Sequence, residues 1–122
     1  MASIRYFVRA VDRAVSFYTQ HLGFKVEQQF GPAIAITSGH GLTLLLSGPP
    51  SSAARPMPDG RVPEPGGWNR IMIDVDDLDA DVARLKKAGA KFRNDIVTGP
   101  GGRQILLEDP DGNVVELFQA AK

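Results

Sequence analysis

Two stretches of this chain carry the same pattern in the same order, and an internal repeat restricts the possible folds more than any other feature of a sequence. Residues 4–8, IRYFV, read as a strand. From Val11 to Leu22 the spacing of Val11, Val15, Tyr18 and Leu22 predicts a helix with one apolar face. Gly23 follows, where a helix end needs a left-handed residue. Three strand-like runs come next, at 24–30, 33–38 and 42–47. The second half repeats this series. IMIDV at 71–75 reads as a strand, and Asp76 or Asp77 is placed to cap a helix with the apolar face Leu78, Val82 and Leu85. Gly89 ends that helix, and strand-like runs follow at 90–94, 102–109 and 113–119. The turn DPDG at 109–112 carries Pro, Asp and Gly where a tight reversal needs them. Val8 matches Val75, Val11 matches Leu78, Val15 matches Val82 and Tyr18 matches Leu85, which indicates a duplicated module. The expected fold class is α+β, built from two βαβββ modules.

Between the repeats lies GPPSSAARPMPDGRVPEPGG, residues 48–67, with six of the nine prolines. Such a composition predicts neither strand nor helix. A semi-stiff spacer between modules accounts for it, and is preferred to a flap over a ligand cavity. The expected organisation is a first module at 1–47, a linker at 48–67 and a second module at 68–122, forming one structural domain.

Fourteen basic residues balance fourteen acidic ones, which argues against nucleic acid as a partner. No stretch is long and apolar enough to cross a membrane, and no basic amphipathic helix suggests a membrane surface. The N-terminal segment MASIRYFVRA lacks the apolar run of a signal peptide, so a cytoplasmic location is expected. Without cysteine, disulfides and thiolate metal sites are excluded. A small molecule or a second protein chain is the expected partner.

Three segments, RAVDRAVSFYTQHLGF at 9–24, DVDDLDADVARLKKAGAKF at 74–92 and EDPDGNVVELF at 108–118, resemble those of vicinal oxygen chelate proteins, the glyoxalase/bleomycin-resistance/dioxygenase family. The resemblance implies a cavity walled by strands, and a homodimer for a chain this short. It also implies four metal ligands, at Ser3, at Leu44 or Leu45, at Arg70 and at Glu116. Of these only Glu116 retains a ligating side chain, so no metal and no other cofactor is expected. Chemistry agrees, because a catalytic divalent metal needs about three protein ligands and an open position. His21 ends the first helix and His40 sits in the turn SGHG, so neither is placed on a strand beside Glu116. Both read as surface histidines.

Alternation along the strands then sorts side chains by face. Arg70, Met72 and Asp74 share one face, leaving Ile71, Ile73 and Val75 for the helix. Ser3, Arg5 and Phe7 occupy the corresponding face of the first strand, with Ile4, Tyr6 and Val8 against the first helix. On the last strand Val114, Glu116 and Phe118 face the cavity. The candidate ligand-binding residues are therefore Arg5, Phe7, Trp68, Arg70, Met72, Glu116 and Phe118. Apolar walls with a few polar groups suit a hydrophobic or aromatic small molecule. An Arg70–Glu116 pair is a candidate stand-in for the metal. The loop TGPGGRQ, with Arg103, reads as a turn or at most an anion contact, since it lacks the Lys-Ser/Thr of a phosphate-binding loop. Asp76, Asp77, Asp79 and Asp81 read as structural, at the positive end of the second helix.

Three functions follow, in order of preference. The first is a metal-free binding protein that holds or sequesters an aromatic natural product or metabolite, as antibiotic-resistance relatives do. The second is a metal-free acid/base enzyme with Glu116 as base and Arg70 or Arg5 as an electrostatic clamp. The third is a metal-dependent lyase, isomerase or dioxygenase.

Overall fold

A computed structural model describes residues 1–122. The chain divides into two compact units, Met1–Gly66 and Gly67–Lys122, so the proline-rich segment belongs with the first unit. In unit 1, β1 (Ile4–Phe7), α1 (Val11–His21), β2 (Lys25–Phe30), β3 (Ile34–Gly39) and β4 (Leu42–Ser47) follow in order. Their sheet runs β1-β4-β3-β2, with β1 and β4 parallel and the remaining pairs antiparallel. Unit 2 repeats the plan with β5 (Arg70–Asp74), α2 (Leu78–Lys87), β6 (Lys91–Phe92), β7 (Val97–Gly99), β8 (Gly102–Glu108) and β9 (Val114–Ala120). The order here is β5-β9-β8-β6, with β7 paired to β8 and β5 parallel to β9.

Each helix covers one face of its own sheet because alternate strand positions are apolar on that face. In unit 1 the buried residues are Val11, Ala14 and Tyr18 of α1 with Ala35, Leu44 and Leu46 of the sheet. Ala14 is more deeply buried than Val15, so the apolar stripe sits slightly rotated from the expected one. Ile4 is also a correction: at the first position of β1 it is exposed rather than packed against the helix. In unit 2, Leu78, Val82 and Leu85 of α2 are buried with Ile71, Ile73, Ile105, Leu107, Val115 and Leu117. Hydrogen bonds fix which face this is. The amide of Leu78 donates to Gln119 Oε1 at 2.7 Å, and Gln119 alternates in phase with Val115 and Leu117.

Helix ends follow local chemistry. Asp77, not Asp76, caps α2, its side chain accepting from the Ala80 amide at 3.1 Å. Ala10 offers α1 no such bond. Gly23 and Gly89 adopt φ of 73° and 84°, the left-handed conformation expected beyond both helices. The strand expected at 90–94 shortens to Lys91–Phe92, and the short β7 was not expected at all. After β4 the proline-rich segment forms one 3-10 turn, Ser52–Ala54, and no other regular element.

Candidate functional site

The face of the unit 2 sheet turned away from α2 collects the polar side chains that packing against the helix cannot accept. Directly paired residues of neighbouring strands project to the same side. Arg70 pairs with Val114, Met72 with Glu116 and Asp74 with Phe118. On the other side of β9, Gln104 pairs with Phe118, Leu106 with Glu116 and Glu108 with Val114. Glu116 thus lies at the middle of this distal face, between Met72 and Leu106. Arg70 Nε donates to Glu116 Oε1 at 3.0 Å, with side-chain exposures of 32% for Arg70 and 7% for Glu116. The carboxylate is buried and compensated, while the guanidinium keeps part of its edge in solvent. Such charge-assisted bonds are the strong class of hydrogen bond. Asp74, the other acid within sequence reach of Arg70, is not its partner in this bond.

A second arginine–glutamate pair lies on the same face. Arg93 follows β6, and its amide donates to the Leu106 carbonyl at 2.9 Å, extending the pairing by one residue. Its guanidinium donates to Glu108 Oε2 at 2.7 Å, to the Gly67 carbonyl at 2.8 Å and to the Gly112 carbonyl at 3.1 Å. Trp68 lies over it, with the guanidinium carbon 4.5 Å from the indole centroid. The indole itself is 69% exposed. Trp68 is therefore held by stacking, within unit 2. Neither Arg93 nor Glu108 was singled out from sequence. The signal was present: alternation through 102–109 puts Gln104, Leu106 and Glu108 in phase with Glu116.

The other candidate residues scatter. Met72 is 56% exposed, Phe118 is half-buried, and Val114 is fully buried although its register places it on the distal face. In unit 1, Arg5 Nη1 donates to Ser47 Oγ at 3.1 Å, and Phe7 is half-buried beside it on the strand. Ser3 is exposed and precedes β1. The register that sequence left open is resolved: Arg5 pairs with Leu45, as Met72 pairs with Glu116. Leu45 is the counterpart of Glu116, and Leu44 is buried on the helix side.

These residues do not fit a metal. The carried-over positions hold a hydroxyl, an aliphatic chain, a guanidinium and one carboxylate, and no group of three or more His, Cys, Asp or Glu side chains comes together. His40 is occupied otherwise, its Nε2 donating to the Leu22 carbonyl at 2.6 Å and its ring lying 5.4 Å from that of Phe24. His21, at the end of α1, packs against Phe17.

The glycine loop at 99–102 joins β7 to β8, as a turn. Arg103 is not available there as an anion contact, because both its terminal nitrogens donate to Asp79, each at 2.9 Å. That hydrogen bond is the first cause holding the Asp79 carboxyl below its ordinary value, and Asp79 in turn raises Arg103. At the DPDGN turn, Asp109 Oδ1 accepts from the amides of Asp111 and Asn113 at 2.8 and 2.9 Å. Asp109 Oδ2 accepts from Asn113 Nδ2 at 2.9 Å. The motif organises the reversal that aligns β9 with β8.

Comparison with known proteins bears on this arrangement. The model of the Glyoxalase/Bleomycin resistance protein/Dioxygenase superfamily matches residues 1–117. Protein YwbC of Bacillus subtilis (strain 168) is 29% identical over 120 residues, covering 92% of this chain and 90% of that protein. Among solved structures, TnmS3, an antibiotic binding protein from Streptomyces sp. CB03234, superposes with a TM-score of 0.69 at 28% identity, over 99% of this chain and 97% of the other. The fosfomycin resistance protein FosX from Listeria monocytogenes gives a TM-score of 0.75 over 99% and 93% of the two chains. At 15% identity that likeness concerns the fold alone.

Proposed function

This chain belongs to the Glyoxalase/Bleomycin resistance protein/Dioxygenase superfamily, and on that premise we propose that it is a metal-free small-molecule binding protein. Its ligand is a hydrophobic, aromatic natural product or metabolite that it holds or sequesters. The observation that carries this reading is the Arg70–Glu116 pair. Glu116 is the one retained ligating side chain of the family's metal set, and here a guanidinium compensates it. Arg70 keeps its remaining donors partly in solvent, where they can orient a ligand oxygen. Met72, Phe118 and Trp68 supply apolar and aromatic surface on the same unit. The antibiotic-binding activity of TnmS3, which covers nearly the same length, supports the ligand class. In this reading the protein acts in the cytoplasm as a homodimer, whose pairing covers exposed side chains such as Phe30 and Val97.

Trp68 is the single tryptophan, so its fluorescence reports binding directly. Titration with planar aromatics and with long aliphatic acids should show quenching by the aromatics, weakened about tenfold by Glu116→Gln as the charged bond is lost. Dialysed protein should bind zinc, nickel, manganese or iron(II) no more tightly than about millimolar, since one carboxylate competes poorly with water. A clear preference for aliphatic acids, or a stoichiometric metal lost in Glu116→Ala, would overturn the proposal.

A further inference from the structure

The proline-rich segment of unit 1 does more than connect. After β4 the chain turns tightly: the Gly48 amide donates to the Ala33 carbonyl at 2.8 Å, and Ser51 returns both its amide and its hydroxyl to the Gly48 carbonyl. Gly48 is obligatory, because a Cβ there would lie 2.4 Å from the Pro32 carbonyl oxygen. Further on, the amide of Met57 donates to the Arg61 carbonyl at 2.7 Å, and Asp59 accepts from the Arg61 amide and Nε. That second reversal brings Val62–Pro65 back beside the end of β1. Between the two passes of chain lies a cavity of about 320 Å³, within the size range of small-molecule pockets.

Its walls are Phe7, Val8, Pro49, Ala54, Val62 and Pro63, an apolar surface for a compact hydrocarbon or aromatic ring. Proline rings with fixed φ leave little conformational freedom to lose on binding. Polar groups are few. The Ser47 hydroxyl already accepts from Arg5, and Arg9 is engaged in an interaction of its own. The exposed Glu64 carboxylate, also on the lining, is a pure acceptor.

We propose that this pocket is a second ligand site, separate from the distal face of unit 2, and that it takes a compact apolar or aromatic amine. The ring lies against Phe7, Val8 and the prolines, and the ammonium meets Glu64. The proposal does not depend on the Arg70–Glu116 reading, and its test keeps the two apart.

The probe is 2-phenylethylamine, compared by calorimetry and NMR on the full chain with 2-phenylethanol and 3-phenylpropionate. The amine should bind with a Kd of about 1 mM, as befits a ligand of so few atoms. It should exceed the alcohol by roughly threefold, the scale of an exposed ion pair, and exceed the carboxylate by more. Glu64→Gln should erase the difference between amine and alcohol. Ala54→Phe or Val62→Phe, both outside the sheets, should fill the cavity and abolish binding with the circular dichroism unchanged. Glu116→Gln should leave amine binding as it is. Failure of the amine to bind at tens of millimolar, equal binding of the carboxylate, binding that survives both filled variants, or loss of binding in Glu116→Gln would each overturn the proposal.

Discussion

The two units share a plan yet differ in where they tolerate charge. On the helix side they are interchangeable in kind: Leu44 and Leu46 of β4 correspond to Val115 and Leu117 of β9, and all four are buried. On the distal side they diverge. Unit 1 carries Leu45 where unit 2 carries Glu116, and the Arg5–Ser47 bond where unit 2 has two arginine–glutamate pairs. Packing against a helix favours apolar residues at alternate positions, the polar exceptions Thr37 and Gln119 each being hydrogen-bonded. The other face is free of that demand, so the two copies diverge there: unit 1 keeps the Lys25–Glu27 ion pair exposed at the β2 edge, while unit 2 places Glu116 buried at the middle of the face.

The largest expected effect tests the shared half. Leu46→Ala and Leu117→Ala should each cost about 2–5 kcal/mol of unfolding free energy, the range for buried leucine truncations. Chemical denaturation measures both. A loss below 1 kcal/mol for one of them alone would show that the two helix-side cores are not equivalent.

Next comes the divergent half. Glu116→Leu gives unit 2 the side chain of unit 1 but strands Arg70, and should cost about 1–3 kcal/mol. Adding Arg70→Met removes the stranded charge and should recover most of that loss, since ion pairs replaced by apolar residues are often neutral. Denaturation midpoints of the single and double variants decide it. A double variant no more stable than Glu116→Leu would mean that the pair is not the reason unit 2 retains an acid.

The smallest effect concerns the helix starts. Asp77→Ala removes the side-chain cap of α2 and should cost about 1 kcal/mol. Ala10→Asp supplies α1 with the cap it lacks and should gain roughly 0.5–1 kcal/mol. Equal and negligible shifts in Tm for both would show that these helices are held by their buried faces alone.

What could be read from the amino acids tracks these same differences. The repeat, both helices and the alternation of β5 are legible because burial imposes a period, and a period survives in sequence. The Arg70–Glu116 contact follows from the same alternation once β5 and β9 are placed side by side. The Arg93 cluster is less legible, since its partners Glu108, Gly67 and Gly112 lie 15, 26 and 19 residues away along the chain. β7 is three residues long and too short to show a period. The proline-rich segment was the hardest. Composition excludes regular structure there, but the reversals at Gly48 and at Met57–Arg61 depend on specific backbone bonds that no composition reveals.

The parallel pairing of β1 with β4, and of β5 with β9, carries a consequence for how each unit comes apart. The first strand of a unit finds its neighbour only in the last, about forty residues later. Contacts that distant make the closing step slower than the local pairing of β2 with β3, β3 with β4 or β8 with β9. β1 and β5 each end their sheet and hold to it through one neighbour, so the ladder amides of Ile71 and Ile73 should exchange no more slowly than those of Val115 and Leu117. The same long-range closure, once per sheet, is what a circular permutation that joined each first strand directly to its neighbour would remove.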